Sequence, residues 1–155
     1  MSRKVSMDIP RWAFSVLPVG AAAGLGGLAA RDAPVVYGRL AKPSWAPPAS
    51  VFGPVWSVLY LTTGIAGWKL FRSASKRTKT LHILQLSLNA AWPALFFGVR
   101  DKRSSLVVIA LLDASLAAEI TSLRREDPTA ASLLLPYLAW SAFATVLNAT
   151  VSEPE

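Results

Sequence analysis

The sequence predicts an all-α integral membrane protein, a single domain built as a bundle of five transmembrane helices. Three observations predict it. Of the 155 residues, 53% are hydrophobic and 16% charged, whereas an ordinary soluble domain is roughly a quarter charged. The charges also leave long gaps: none falls within residues 12–30, 43–68, 80–99 or 128–152, and residues 104–123 are as apolar apart from Asp113 and Glu119. A helix crosses the hydrocarbon core with about 20 residues, so five such runs consume about 100 residues and leave only short loops and tails. No soluble catalytic domain fits in what remains.

Composition excludes several chemistries. With no cysteine, thiolate catalysis, disulfides and Cys-based metal sites are out. His82 is the only histidine, so a two-His metal site within one chain is out as well, and no metal is expected. The net charge of +7 and the pI near 10.3 come from cations scattered over every loop, which is not the footprint of a nucleic-acid surface.

Residues 1–11 form a basic tail ending at Pro10. The first span, residues 12–30, is too long for a signal peptide and is expected to stay. It carries two small-xxx-small pairs, Gly20 with Gly24 and Ala23 with Gly27, a spacing that lets helix backbones approach closely in lipid. This stripe is either a homodimer face or a packing face within the bundle.

Residues 31–50 contain Pro34, Gly38, Pro43, Pro47 and Pro48, so a stiff lid without a regular helix is expected there. The second span, residues 51–71, tolerates Pro54 in its first turn. A short basic loop follows, with Arg72, Lys76, Arg77 and Lys79. Spans three, four and five cover residues 81–99, 104–123 and 129–148. Pro93 and Pro136 fall inside two of them, where a proline frees a carbonyl and kinks the helix.

Of the 16 cations, ten lie on the side of the N-terminus: Arg3, Lys4, Arg11, Lys69, Arg72, Lys76, Arg77, Lys79, Arg124 and Arg125. The other six are Arg31, Arg39, Lys42, Arg100, Lys102 and Arg103. An excess of cations marks the inner side, so the N-terminus is read as inside.

Alternate spans run antiparallel, so depth can be counted from the face bearing the proline-rich loop. Trp56, Trp92 and Trp140 fall about 8 to 12 Å deep, and Tyr60, Asn89, Asp113 and Tyr137 about 14 to 16 Å deep. Phe52, Trp56 and Tyr60 share one helix face; so do Gln85, Asn89, Trp92 and Phe96, and so do Tyr137, Trp140, Ala144 and Asn148. Either these residues are an interfacial aromatic belt with amide glue, or they line a common pocket. Their shared depth favours the pocket.

The residues that carry a family resemblance are Tyr37-Gly38-Arg39-Leu40-Ala41-Lys42-Pro43-Ser44-Trp45-Ala46-Pro47-Pro48, then residues 51–60 (VFGPVWSVLY) and residues 85–93 (QLSLNAAWP) followed by Phe96-Phe97-Gly98. Pro136-Tyr137-Leu138-Ala139-Trp140, with Phe143-Ala144-Thr145 and Leu147-Asn148, completes the set. The chain resembles the translocator protein / tryptophan-rich sensory protein family from about residue 12 to residue 148. The resemblance implies a five-helix bundle, commonly dimeric, that binds porphyrins such as protoporphyrin or haem as ligands rather than cofactors. In animal members it also implies cholesterol and benzodiazepine-type ligands. Carried over, the pocket involves Tyr37, Pro47, Phe52, Trp56, Tyr60, Asn89, Trp92, Trp140 and Ala144. In bacterial relatives, tryptophans matching Trp56 and Trp140 are linked to light-dependent porphyrin degradation.

One departure stands out. The animal cholesterol motif after the fifth span needs a tyrosine and a basic residue, and residues 148–155 have neither. The resulting expectation is a receptor or transport protein for flat apolar ligands; a photo-oxidative porphyrin-degrading enzyme, a cholesterol-binding translocator and a metabolite-sensing regulatory partner are the alternatives. No acid–base pair, nucleophile triad or metal cluster supports conventional catalysis. The missing sterol motif and the absence of an Arg-rich presequence lean toward a bacterial inner membrane over a mitochondrial outer membrane.

Two further expectations concern single residues. His82, near the start of span three, is placed at the opposite membrane face from the tryptophan layer, unable to ligate a bound haem. Asp113, near mid-span, cannot face lipid; it is expected to hydrogen-bond a neighbouring helix, or water beneath the pocket.

Overall fold

The computed structural model describes residues 9–153. Arg3 and Lys4, counted above for orientation, lie outside them. Helix α1 (Arg11–Ala29) begins after Pro10, whose extended backbone breaks the chain into the helix. Pro18, inside α1, withholds an N–H from the preceding turn.

The expectation of a lid without regular helix is corrected. Residues 33–39 form the short helix α2 (Ala33–Arg39). Pro34 does not prevent it, because it sits in the first turn, where its missing N–H would have had no partner anyway. Beyond it the chain is extended: Ala41 and Ser152 exchange backbone hydrogen bonds at 2.8 and 3.1 Å, tying the loop to the C-terminal end of the last helix.

A 3₁₀ turn (Ala49–Val51) leads into α3 (Phe52–Ser73). Helix α4 (Lys76–Pro93) starts five residues before the apolar run, because Ser75 caps it by accepting the Thr78 N–H at 3.3 Å. At Pro93 the α-helix ends and the chain continues through a wider π-helical segment, Ala94–Val99. The cause is local: Pro93 offers no N–H to the carbonyl one turn back, that of Asn89. Arg100 closes the segment in the left-handed region, with φ 59°.

Asp101 then caps α5 (Lys102–Glu126), accepting the Arg103 and Ser104 N–H groups at 3.1 Å and the Ser104 hydroxyl at 2.6 Å. The Ser104 hydroxyl, before the backbone bonds, holds this carboxyl below its ordinary range. Asp127 performs the same service for α6 (Pro128–Thr150), accepting the Ala130 N–H at 3.1 Å.

The five long helices form a closed ring in the order α1, α3, α6, α5, α4. At its centre lie Leu59, Leu70, Leu112, Leu116, Leu123 and Leu134. The outer surface is also apolar, with Leu25, Leu28, Val58, Leu61, Val107 and Leu135 all more than half exposed, a coat that suits lipid and not water. Among the described residues four helices are long and apolar enough to cross a membrane: Arg11–Ala29, Ala49–Ser73, Lys102–Glu126 and Pro128–Thr150. Helix α4 falls short because its 18 residues begin with Lys76, Arg77 and Lys79 and its buried face is polar, with Thr78, His82, Gln85 and Asn89 turned inward.

The two small-residue pairs of α1 part company. Gly20 and Gly24 face outward with nothing within 4 Å of where a Cβ would stand, so that pair does not pack within the bundle. Ala23 and Gly27 line an internal cavity instead.

Candidate ligand-binding site

A cavity of about 300 Å³ lies between α1, α2, α3 and the Pro93 end of α4. One wall is α1, where Ala23, Gly26 and Gly27 leave room by having almost no side chain. Pro34 and Tyr37 of α2 form the roof on the side of the proline-rich loop. Phe52, Trp56 and Tyr60 of α3 face Asn89, Trp92 and Pro93 of α4 across it, with Phe97 of the π segment beside them.

The roof is fixed by hydrogen bonds and ring contacts. The Tyr37 hydroxyl donates to the Pro47 carbonyl at 2.8 Å, binding α2 to the loop. Lys42 Nζ donates to the Tyr37 carbonyl at 2.8 Å and stands 4.8 Å from the centre of its ring. Burial pushes the Tyr37 phenol above its ordinary value, which keeps it a donor. Its ring meets Phe52 edge-on at 5.1 Å.

The floor is an amide between two phenols. Tyr60 donates its hydroxyl to Asn89 Oδ1 at 2.9 Å, and Asn89 Nδ2 donates to the Tyr137 hydroxyl at 2.6 Å. Asn89 therefore has its costly mid-membrane amide satisfied by α3 and α6 together. The indoles differ in what they have left to offer. Trp92 Nε1 is committed to Asn148 Oδ1 at 2.9 Å and its ring stacks on Phe96 at 5.0 Å. Trp56 stacks on Tyr60 at 5.5 Å and meets Tyr137 edge-on at 5.9 Å, and among the described residues its N–H has no protein acceptor. It is the polar handle of an otherwise apolar wall.

Six of the nine residues singled out from the sequence line this cavity: Tyr37, Phe52, Trp56, Tyr60, Asn89 and Trp92. Three do not. Pro47 lies behind Tyr37 and contributes only its carbonyl. Trp140 packs against Phe52 at 5.7 Å and Phe143 at 5.3 Å, with its Nε1 buried and without a partner, so Phe52 is its neighbour on the cavity side. Ala144, one turn further along α6, is buried in the core. The reason is the ring order: α6 sits between α3 and α5, while the cavity opens between α1, α3 and α4. Trp140 shares the depth of Trp56 and Trp92 and stands behind Phe52.

Gly26 was missed. A Cβ there would come within 3.7 Å of the Tyr60 hydroxyl and 3.6 Å of Pro93, so its bare backbone forms part of the cavity wall. The clue lies in the small residues of span one, a stripe that reads equally as a homodimer face or as a packing face within the bundle. Trp45, the aromatic of the proline-rich loop, faces outward and meets Phe143 edge-on at 5.8 Å, outside the cavity.

Asp113 is hydrogen-bonded to a neighbouring helix, its Oδ2 accepting from the Thr145 hydroxyl of α6 at 2.6 Å. It does not line the cavity. His82 lies in the core, with Nδ1 2.7 Å from Glu119 Oε1 and both side chains completely buried. That pairing had no signal in the sequence, since the partners stand 37 residues apart. No cluster of three or more potential metal ligands occurs among the described residues.

A helical membrane protein with an aromatic cavity roofed by a proline-braced loop is the class that fold and site define. The TspO/MBR family model matches residues 13–153, and the chain belongs to that family. It is 42% identical over 118 residues to the translocator protein of Homo sapiens, covering 72% of this chain and 70% of that one. It is 37% identical over 122 residues to the tryptophan-rich protein TspO of Chlorobaculum tepidum, covering 76% and 77%. The TspO protein of Archaeoglobus fulgidus is 35% identical over 146 residues, covering 92% of this chain and 95% of that one.

Proposed function

We propose that the chain is a five-span membrane receptor or carrier that binds porphyrins and similar flat apolar ligands in the cavity beneath α2. The observation that carries this reading is the cavity itself. Its volume of about 300 Å³ stands at the lower end of the range for small-molecule sites, about 300–1,000 Å³. Its walls are aromatic on two sides and nearly bare on the third, a slot suited to a planar ring system stacked on indole and phenol faces. A whole tetrapyrrole exceeds the slot, so one edge would project through the open side.

The fifth span of this reading is α4. Its 18 residues continue through the 6 of the π segment, about 36 Å at 1.5 Å per residue, enough for a core about 30 Å thick. A homodimer through the outward Gly20 and Gly24 face of α1 belongs to the same reading, since that stripe has no partner within the bundle. The bacterial inner membrane is the proposed location, with the mitochondrial outer membrane as the alternative.

Light-dependent porphyrin degradation is a second reading, and the geometry favours Trp56 as its reactive residue. Trp56 lines the cavity; Trp140 does not. Titration of purified protein with protoporphyrin, haem and cholesterol, followed by tryptophan fluorescence, tests the first reading. Saturable binding of protoporphyrin that Trp56→Ala weakens supports it; no saturable binding of any of the three overturns it.

A further inference from the structure

The inward face of α4 carries a polar residue at every turn. Thr78, His82, Gln85 and Asn89 follow at spacings of four, three and four, and all are buried. Asn89 is fully bonded at the cavity floor. Gln85, one turn away, is completely buried, and neither atom of its amide has a protein partner. One turn further, His82 meets Glu119, and the outer atoms of that pair, His82 Nε2 and Glu119 Oε2, are buried without partners too.

Helix α3 runs a matching line. Tyr60, Thr63 and Gly67 follow at spacings of three and four, and the Thr63 hydroxyl is buried without a partner. A Cβ at Gly67 would stand 2.9 Å from His82 Nε2. The two lines therefore join at both ends, Tyr60 with Asn89 at the cavity and Gly67 with His82 in the core. Thr63 and Gln85 are bracketed between them. Helix α1 closes the third side with Phe14, stacked on His82 at 5.8 Å, and Ser15, whose Cα would lie 3.5 Å from a Cβ at Gly67.

A buried hydroxyl or amide without a partner is costly to keep, and here several occur along one seam. Paired ionisable side chains inside a membrane bundle mark the places where protons are held and passed. We propose that His82 and Glu119 form an intramembrane proton site that opens onto the ligand cavity through Thr63, Gln85 and Asn89, so that the protein exchanges a proton as the cavity fills or empties.

The proton count is simple. The pair is electrically neutral when one proton lies in the Nδ1–Oε1 hydrogen bond and a second sits on Nε2. Breaking the Nε2–H bond leaves a neutral imidazole beside a carboxylate, and the proton passes along the Thr63 hydroxyl and Gln85 amide, which do not keep it, to cavity water as hydronium; hydronium from the cavity restores it. Among the titratable groups, Tyr137 on α6 feels the Glu119 carboxyl, and Glu126 on α5 reaches the Thr78 turn of α4, whereas α1 brings Phe14 and Ser15. One turn further from the cavity, Leu70 and Leu123 are fully buried beyond Gly67 and Glu119, and on α4 the buried Thr78 turns its hydroxyl to Ser75 Oγ at 3.1 Å. The proposed exchange is with the cavity, a route that variants of Thr63 and Gln85 test.

The proposal rests on the cavity's position, and its first test needs no ligand. His82 is the only histidine, so isotopically labelled histidine gives a single imidazole signal by NMR in the full chain. Exchange of its Nε2 proton with heavy water is expected to be faster in wild type than in Thr63→Val or Gln85→Leu, which nearly conserve volume and remove the polar atoms. Protoporphyrin in the cavity should slow it as well. Coupling is read by calorimetry in two buffers of different ionisation heat: the protons exchanged on protoporphyrin binding should change in Glu119→Gln relative to wild type. Wild-type exchange as slow as in both cavity-side variants overturns the proposal, as does an unchanged proton count in a folded Glu119→Gln protein. Failure of protoporphyrin to bind at all overturns the functional reading instead, and the ligand-free exchange then decides the proton site alone.

Discussion

Asn89 is held between two phenols, accepting from Tyr60 at 2.9 Å and donating to Tyr137 at 2.6 Å. One amide thereby links α3, α4 and α6 at the base of the cavity. Asn89→Leu leaves both hydroxyls without this partner in a water-poor interior, and it should destabilise the protein by about 1–3 kcal/mol. Tyr60→Phe removes one donor and should cost less, about 0.5–1.5 kcal/mol. Unfolding midpoints in detergent check both; a milder effect for Asn89→Leu than for Tyr60→Phe would show that the amide does not organise the site.

The two tryptophans that share a depth should behave differently. Trp56 forms cavity wall and Trp140 packs behind Phe52. Trp56→Ala is expected to weaken protoporphyrin binding by about 1–3 kcal/mol, the scale of lost aromatic burial. Trp140→Phe should leave affinity nearly unchanged. If light-dependent loss of porphyrin absorbance occurs, Trp56→Phe should remove it and Trp140→Phe should not. Equal losses from both variants would mean that the ligand reaches past Phe52.

The architecture was legible because uncharged runs of membrane length leave few alternatives, and the observed helices begin and end within a few residues of those runs. The site was legible in one coordinate. Residue counting along antiparallel helices gives depth, and it brings Trp56 and Trp92 into one layer with Tyr60 and Asn89 just beneath. It gives no azimuth, so Trp140 came with them although it packs behind Phe52, and Ala144, carried over with the resemblance, lies in the core. Helix α2 is hidden by the density of prolines around it, and only the position of Pro34 in the first turn, where it is tolerated, allows the helix. The His82–Glu119 pair was invisible for a different reason: ring order decides which polar residues meet, and only packing sets that order.

Glycines on two helices offer opposite outcomes for the same substitution. At Gly26 an added methyl makes ordinary contacts of 3.6 and 3.7 Å, and alanine is a better helix former than glycine by about 1 kcal/mol. Gly26→Ala should hold or raise stability, while Gly26→Leu should fill the slot and abolish protoporphyrin binding in a folded protein. At Gly67 the methyl would stand 2.9 Å from His82 Nε2, and His82 cannot swing aside, being bonded to Glu119 and stacked on Phe14. Gly67→Ala should destabilise by about 1–3 kcal/mol, as overpacked sites do. Thermal unfolding of the two alanine variants side by side makes the comparison.

Acid should expose the cap of α5. The hydrogen bonds from Ser104 hold the Asp101 carboxyl below its ordinary value, so its ionised form is favoured by folding. The stability it contributes is present above the ordinary carboxylate value and is lost as pH falls through the lowered folded value. Asp101→Asn can still cap the helix but does not titrate. Wild type should therefore be the more stable of the two near neutrality, with the difference vanishing in acid. A difference that stays constant with pH would show that charge plays no part in the cap.

Asp113 and Thr145 lock α5 to α6 at mid-membrane, away from the cavity. The Thr145 hydroxyl has a single proton and two acceptors within reach, Asp113 Oδ2 at 2.6 Å and the Ser141 carbonyl at 3.0 Å. Asp113 Oδ1 is buried and has no partner. Thr145→Val removes the donor and leaves the whole carboxyl without protein hydrogen bonds, so the protein should lose about 1–3 kcal/mol of stability. Asp113→Asn acts in the other direction. It supplies an N–H that the Thr145 oxygen can accept, freeing the hydroxyl proton for Ser141, and it removes a carboxyl from the bilayer interior, where Asp carries an insertion cost of about 2.5–3.5 kcal/mol. Stability should therefore be kept or raised. Since Asp113 lies outside the cavity wall, Asp113→Asn should also leave the affinity for protoporphyrin and its pH dependence as in wild type. Binding titrations across pH, paired with unfolding curves, separate the two roles: an altered pH profile in a stable Asp113→Asn protein would connect this carboxyl to the ligand, and an unaltered one leaves it as a bond between helices.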